Sequence, residues 1–178
     1  QLLKSEPKWE KMANLSNISI KLLNKDIASI IINDSKTYNA LSLKNLADLI
    51  IVFKKLDDDK KIKVIIIEGS GRGFSAGHNL KEVNDLKKKA KYQKLFNLCS
   101  KLMLQIVEGK KPVIAKVHGA AFAAGCQLVA SCDLAYSTND SIFATPGVNI
   151  GLFCSTPMVA VSRKVNRKII MKMLLTGD

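Results

Sequence analysis

The sequence predicts an α/β fold, and three features of its 178 residues favour that class. The continuous apolar run at 64–67 is typical of a strand buried on both faces, and 113–117 is predicted to be a second buried strand. Each run is followed by a glycine-rich loop, and each loop by apolar residues at helical spacing. Strands that alternate with helices in this way are joined by crossovers and lie parallel in one sheet.

The chain is expected to open with a hairpin and a capped helix. Residues 18–23 and 27–32 are β-prone and are separated by the polar turn 24–26. Ser42 is the predicted N-cap of a helix that runs to about Leu56. Residues 1–16 are polar and irregular and are predicted to be a lead-in, so the predicted domain spans 17–178.

The remaining elements are predicted from shorter patterns. A helix is expected over 91–107, preceded by a helical stretch that is interrupted near 87–90. Residues 119–125 are small and are expected to form a loop, and a short helix should begin near Gly125 and end before Asp133. Two short strands, at 134–137 and 142–144, and two helices, at 157–164 and 167–175, complete the prediction.

The formal net charge of +13 favours an anionic partner. Most of the lysines are explained by a solvated face, as in the run 87–89. Aromatic residues make up only 6% of the chain, so stacking on bases is poorly supported and nucleic acid is not an expected partner. The longest apolar region, 112–136, is interrupted by polar residues, so no membrane span is expected.

Metal binding is not expected either. The four cysteines form no CxxC pair, and the chain has only two histidines, His78 and His118. A zinc site needs clustered nitrogen and sulfur ligands. Free, buried thiols in a reducing compartment are the simpler interpretation.

Two glycine-rich loops are the candidate ligand-binding features. The first, 68–81, leaves a predicted strand and enters a helix, so the N–H groups after Gly77 lack helical partners. Its spacing matches neither the phosphate loop nor the dinucleotide fingerprint. The second loop, 117–128, has the same surroundings. Two such loops on neighbouring parallel strands would aim two N–H donors at one point, which is the geometry of an oxyanion hole.

The segments FSAGHNLKEV, KPVIAKVHGAAFAAGCQLVASCDLAYS and FATPGVNIGLFCSTP resemble the crotonase (enoyl-CoA hydratase/isomerase) superfamily. The resemblance covers about 18–177, and it is greatest to a mitochondrial branch. It implies the ClpP-like crotonase fold of stacked ββα units, a role in mitochondrial fatty-acid metabolism and a homotrimer or hexamer. It also implies that a C-terminal helical region is missing here, which should expose apolar surface.

The resemblance also assigns the site. The backbone N–H groups of His78 and Ala124, which adjoin Gly77 and Gly125, would hold a thioester oxygen. The backbone of Ser75 and Ala76 would contact adenine, and Lys36 and Lys81 would meet the phosphates of coenzyme A, with Arg72 a weaker candidate. Coenzyme A would be part of the substrate, and no separate cofactor is implied. The His78 ring is not expected to be a base, because nothing local orients it.

The chain departs from the family at both of its catalytic glutamates. Gln127 and Gly147 stand at those positions, and neither offers a titratable group. Ordinary two-glutamate hydration is therefore not expected, and Asp133 is interpreted as structural. Three hypotheses follow: a lyase or isomerase of this family with non-standard chemistry, a non-enzymatic acyl-CoA binder or regulator of lipid metabolism, and, ranked last, an RNA-binding relative.

Overall fold

A computed structural model describes residues 17–178, so the predicted lead-in lies outside the described residues. The hairpin is confirmed: β1 (Ile18–Asn24) pairs antiparallel with β2 (Ile27–Ile32). The next element is α1 (Leu43–Asp58), and the Ser42 side chain accepts a hydrogen bond from the Asn45 N–H at 3.1 Å. The predicted N-cap is therefore correct.

The middle of the chain also follows the prediction. β3 (Val64–Gly69) leads into α2 (Leu80–Asp85) and α3 (Lys89–Val107). These two helices are separated at Lys87, whose φ of 48° ends the first of them. β4 (Val113–Val117) follows.

The last third consists of short elements. They are, in order, β5 (Ala120–Phe122), α4 (Ala124–Ser131), β6 (Leu134–Ser137), β7 (Ile142–Ala144), a 3-10 turn (Pro146–Ile150), α5 (Ser155–Val161) and α6 (Arg167–Thr176).

The main sheet has the strand order β1-β2-β3-β4-β6, and every pair after the first is parallel. A second sheet pairs β5 with β7, also in parallel. Ile30, Ile67 and Ala115, from the three central strands of the main sheet, are fully buried in a core that includes the inner faces of α1 and α3. The α/β class is confirmed, and both glycine loops leave the carboxyl ends of adjacent strands, β3 and β4.

Two local predictions were wrong. Residues 119–125 are not all loop, because β5 forms there: Ser75 N donates to Ala120 O at 3.1 Å, and Phe122 N donates to Ser75 O at 2.9 Å. The helix predicted at 157–164 instead spans Ser155–Val161. Pro157 is tolerated in its first turn, where an N–H has no helical partner in any case.

The four cysteines are free and buried, as predicted. Burial raises the pKa of Cys99, Cys126 and Cys132 to about 12. Within residues 17–178, no helix is long and apolar enough to cross a membrane. The same residues contain no group of three or more side chains suited to a metal ion.

Apolar side chains are exposed on one part of the surface. They lie on β6, β7 and α6, and include Leu134, Tyr136, Ile142, Ile169 and Leu175. β6 is an edge strand, so it has no neighbour on its outer side in this sheet. That a missing region would cover such a surface stays a prediction, as does its effect on stability.

Candidate active site

The first glycine loop is anchored by a buried amide, that of Asn39. Its Nδ2 donates to the carbonyls of Ser70 and Gly73, both at 2.8 Å, and its Oδ1 accepts from Asp34 N at 2.9 Å. Asn39 is fully buried, so these bonds form away from water. Asn39 therefore fixes the path of the loop.

The same segment pairs with the loop by its backbone. Ala76 N donates to Tyr38 O at 2.9 Å, and Leu41 N donates to Gly77 O at 2.7 Å. The Ser75 hydroxyl donates to Asn39 O at 2.9 Å. Ser75, Ala76 and Gly77 are thus held in place by backbone and side-chain bonds, with Ala76 exposed and its two neighbours buried.

Gly77 brings the two loops into contact. Its φ is 88°, and a Cβ at this position would lie 2.9 Å from Phe122 O and 3.1 Å from Ala124 N. Only glycine fits both this conformation and this space. The first residue of α4 therefore lies directly against the residue that precedes His78.

The second loop is fixed from the other side. Ala123 has a φ of 48° and donates its N–H to Ala144 O at 2.9 Å, which ties the start of α4 to β7. A Cβ on Gly125 would lie 2.3 Å from Ser75 O. The loops interlock at Ser75, and a non-glycine residue with positive φ at this junction is the kind of local strain found at functional sites.

Two backbone donors remain free at this junction. Among residues 17–178, no acceptor engages the N–H of His78 or that of Ala124. The second donor opens α4, where the helix dipole adds partial positive charge. Free donors side by side in a buried setting are able to polarise a carbonyl oxygen.

The His78 ring is oriented, contrary to the prediction. Its Nδ1 lies 3.2 Å from Leu41 O, and its plane meets the Phe96 ring edge-on with centroids 5.5 Å apart. Burial lowers the pKa of His78, against the opposing effects of the Leu41 carbonyl and Glu82. Its Nε2 is buried and has no partner within the described part of the chain.

The predicted phosphate-binding residues lie on different elements of the fold. Lys36 is exposed on a 3-10 turn, and Lys81 is exposed in the first turn of α2. Arg72 donates to the Tyr38 hydroxyl at 3.4 Å. His118 follows β4 with its Nε2 2.9 Å from Gly71 O, as expected of a strand-end residue.

The two positions at which the family resemblance expects glutamates are both buried. Gln127 is 5% exposed, and its Oε1 lies 4.0 Å from Cys99 Sγ. At Gly147, a Cβ would lie 2.5 Å from Leu152 O and 2.8 Å from Cys154 Sγ. A larger residue there would displace its neighbours. The Asp133 carboxylate accepts from Val113 N at 2.8 Å, so its structural role is confirmed.

The sheet order and the loops at the ends of β3 and β4 define a protein of the crotonase fold. Residues 23–178 match the model of the enoyl-CoA hydratase/isomerase family, and the chain belongs to that family. Human enoyl-CoA hydratase domain-containing protein 3, mitochondrial, is 49% identical over 152 residues, which are 85% of this chain and 50% of that protein. The chain spans about half the length of the curated relatives it matches.

Solved structures agree. The crystal structure of human enoyl-CoA hydratase domain-containing protein 3 matches with a TM-score of 0.87 and 46% identity, over 91% of this chain and 64% of that one. An enoyl-CoA hydratase of Mycobacterium smegmatis matches with a TM-score of 0.88 and 44% identity, over 91% and 63%. The relatives named mitochondrial agree with the localisation that the resemblance implied.

Proposed function

We propose that this protein binds an acyl- or enoyl-coenzyme A thioester and holds its carbonyl oxygen with the N–H groups of His78 and Ala124. The observation that carries the proposal is that both donors lack an acceptor among residues 17–178 while Gly77 brings their loops into contact. One donor of this kind contributes about 2.7–4 kcal/mol to a transition state that develops an oxyanion.

The same proposal assigns residues that contact the adenine and the phosphates of coenzyme A. Adenine contacts the backbone at Ser75 and Ala76, of which Ala76 is exposed. Lys36 and Lys81 meet the phosphates, and the net charge of +13 favours such an anion. Both lysines are exposed and free to reorient, so they contribute more to association than to specificity.

The chemistry that fits best is that of a hydratase- or isomerase-like protein of mitochondrial fatty-acid metabolism with a non-standard mechanism. The names of its relatives support the class. Gln127 has no titratable group and Gly147 has no side chain, so a two-glutamate addition of water has no acid or base at those positions. Stabilisation of an enolate remains available, because it needs only the backbone donors. The family resemblance further suggests a homotrimer or hexamer.

A second function, non-enzymatic binding of acyl-CoA, is favoured by one observation. Leu152 O and Cys154 Sγ occupy the space beside Gly147, so this position has no room for an acidic or basic side chain. A protein that retains the carbonyl site without any acid or base would bind thioesters and regulate their use.

The test compares two ligands that differ in one oxygen. Butanoyl-CoA and its thioether, S-butyl-CoA, share every contact except the carbonyl. We expect calorimetric titration to show at least tenfold tighter binding of the thioester, since a net hydrogen bond of about 1.4 kcal/mol corresponds to that factor. Equal affinities would mean that the protein has no site for the thioester carbonyl. Failure of both ligands to bind would overturn the proposal.

Turnover separates the two functions. Crotonyl-CoA and longer enoyl-CoAs are followed by the absorbance of the conjugated thioester. Loss of that absorbance supports the enzyme. Tight binding with unchanged absorbance, across short, medium and long chains and in product analysis, supports the binder.

A further inference from the structure

The His78 ring is a buried basic group that the proposed function does not use. Its Nδ1 lies 3.2 Å from Leu41 O, and because a carbonyl oxygen only accepts, Nδ1 carries the proton of the neutral ring. Nε2 is then the unprotonated nitrogen, and it is buried with no donor among residues 17–178. Leaving a buried acceptor unpaired is costly, and a catalytic role is one reason that proteins do so.

Two neighbouring titratable side chains are unsuited to accept a proton from a ligand. The Glu82 carboxylate accepts the Leu43 N–H at 2.9 Å, which occupies it at the start of α1. Burial raises the pKa of Cys99 to about 12, so this thiol stays neutral. Burial lowers the pKa of His78, with Glu82 the charged group that opposes the shift, so the ring is neutral near pH 7 and able to take up a proton.

Contacts on α3 place the ring beside the proposed carbonyl site. The ring meets Phe96 edge-on, with centroids 5.5 Å apart. Cys99, three residues further along the same face of α3, has its Sγ 4.0 Å from Gln127 Oε1. Gln127 in turn lies about one turn after Ala124 on α4. The ring and the first turn of α4 therefore face one strip of α3, and the ring belongs to the same residue as the other N–H donor.

We propose that the His78 ring is a catalytic base whose Nε2 takes a proton from the carbon next to the thioester carbonyl. This inference rests on the proposed function. The electron pair of the broken C–H bond passes to the carbonyl oxygen, and the N–H groups of His78 and Ala124 stabilise the resulting enolate. Nε2 then returns the proton to the same carbon or, in a 3-enoyl thioester, to the far end of the double bond. The step needs no oxidant, reductant or second base.

The acyl group reaches Nε2 from the side of the ring that packs on α3. Phe96 is 38% exposed there, so its side chain is free to turn towards solvent. Leu41, on the Nδ1 side, is fully buried. Entry past Phe96 therefore displaces one side chain and preserves the bond that fixes the proton on Nδ1.

Two assays follow the proton. Butanoyl-CoA is incubated with the protein in D₂O, and deuterium at the carbon next to the carbonyl is measured by mass spectrometry. 3-Butenoyl-CoA is followed by the absorbance of the conjugated thioester that forms, because a proton returned without exchange escapes the first assay. We expect a rate above the uncatalysed one that is constant above about pH 6.5 and falls at lower pH, as the ring becomes protonated.

Variants separate a catalytic ring from a structural one. His78→Gln should slow proton transfer by a factor of about 10²–10⁴ while keeping its affinity for butanoyl-CoA, since the backbone donor remains. In His78→Ala, added imidazole should restore part of the rate. His118→Gln is the matched control, because His118 contacts the Gly71 carbonyl at the end of β4, and the rate should be unchanged. Thermal melting verifies that each variant is folded.

The outcomes are distinguishable. Butanoyl-CoA that binds tightly without proton transfer in either assay overturns this inference and leaves the proposed function intact. Proton transfer that persists in His78→Gln also overturns it, since the base would then be another group. A rate lost together with affinity, and not restored by imidazole, assigns the ring a structural role instead. Failure of butanoyl-CoA to bind the unmodified protein overturns the proposed function.

Discussion

Two buried regions of the candidate site differ in what they leave available to a ligand. The junction of the glycine loops at Ser75 is closely packed, yet within residues 17–178 no acceptor engages the N–H groups of His78 and Ala124. The region around Gly147 is equally packed, but Leu152 O and Cys154 Sγ fill the space beside the glycine. The proposed carbonyl site and the position of Gly147 therefore belong to separate parts of the fold, and a change in one need not disturb the other.

The second region is held by its own bonds. Leu152 N donates to Gly147 O at 2.8 Å, and the Thr145 hydroxyl donates to Met173 O at 2.7 Å, which ties the segment to α6. None of these bonds needs a carboxylate.

Gly125→Ala should have the largest effect, because the added Cβ would lie 2.3 Å from Ser75 O. That oxygen belongs to backbone that neighbouring hydrogen bonds hold in place. We expect a loss of roughly 3 kcal/mol in the free energy of unfolding, together with loss of thioester binding. Urea denaturation and calorimetry measure the two.

Gly151→Ala is the matched control. Gly151 has a φ of 73° but no heavy atom within 4 Å of an added Cβ, so only conformational strain of about 1 kcal/mol is expected. Equal losses in the two variants would mean that the loops do not interlock as described.

Asn39→Ala tests whether a buried amide holds the first loop. The substitution leaves the carbonyls of Ser70 and Gly73 without their donor, and should cost about 2–3 kcal/mol. Asn97→Ala removes an exposed amide bonded to Gln93 and should change stability by about 0.5 kcal/mol or less. A small loss for Asn39→Ala with normal thioester affinity would contradict an anchoring role.

Gly147→Ala tests whether the second region is closed. The methyl group would press on Leu152 O and Cys154 Sγ, and because residues 152–154 belong to no helix or strand, part of the contact can be relieved locally, so a loss of about 1–2 kcal/mol is expected. Thioester affinity should be retained, in contrast to Gly125→Ala. Unchanged or increased thermal stability would show that this position has room for a side chain.

Local sequence patterns predicted most elements but not how the site is assembled. The hairpin, the Ser42 cap and the strands at 64–67 and 113–117 follow from residues adjacent in the chain. β5 was missed because it forms by pairing with Ser75 and β7, which lie far along the sequence.

The orientation of His78 was missed for the same reason. Its ring is held by a carbonyl 37 residues away, at Leu41. Resemblance to a family located the two N–H donors, and the structure then placed their loops in contact. The closure of Gly147 depends on Leu152 and Cys154, and no periodicity or composition signals it.

The smallest expected effect concerns pH and the His78 ring. Burial lowers its pKa below the unfolded value of about 6.5, and the opposing influences of Leu41 and Glu82 do not compensate. The unfolded chain therefore binds the proton more readily than the folded one. The contribution of His78 to the free energy of unfolding is complete above pH 6.5 and is lost as pH falls through that value towards the lower folded pKa.

In His78→Gln, this contribution to the pH dependence of the free energy of unfolding should disappear, as measured by urea denaturation between pH 7.5 and 5.5. Since the donor at this position is a backbone N–H, His78→Gln should still prefer butanoyl-CoA to its thioether, and loss of that preference would mean that the ring itself contacts the thioester.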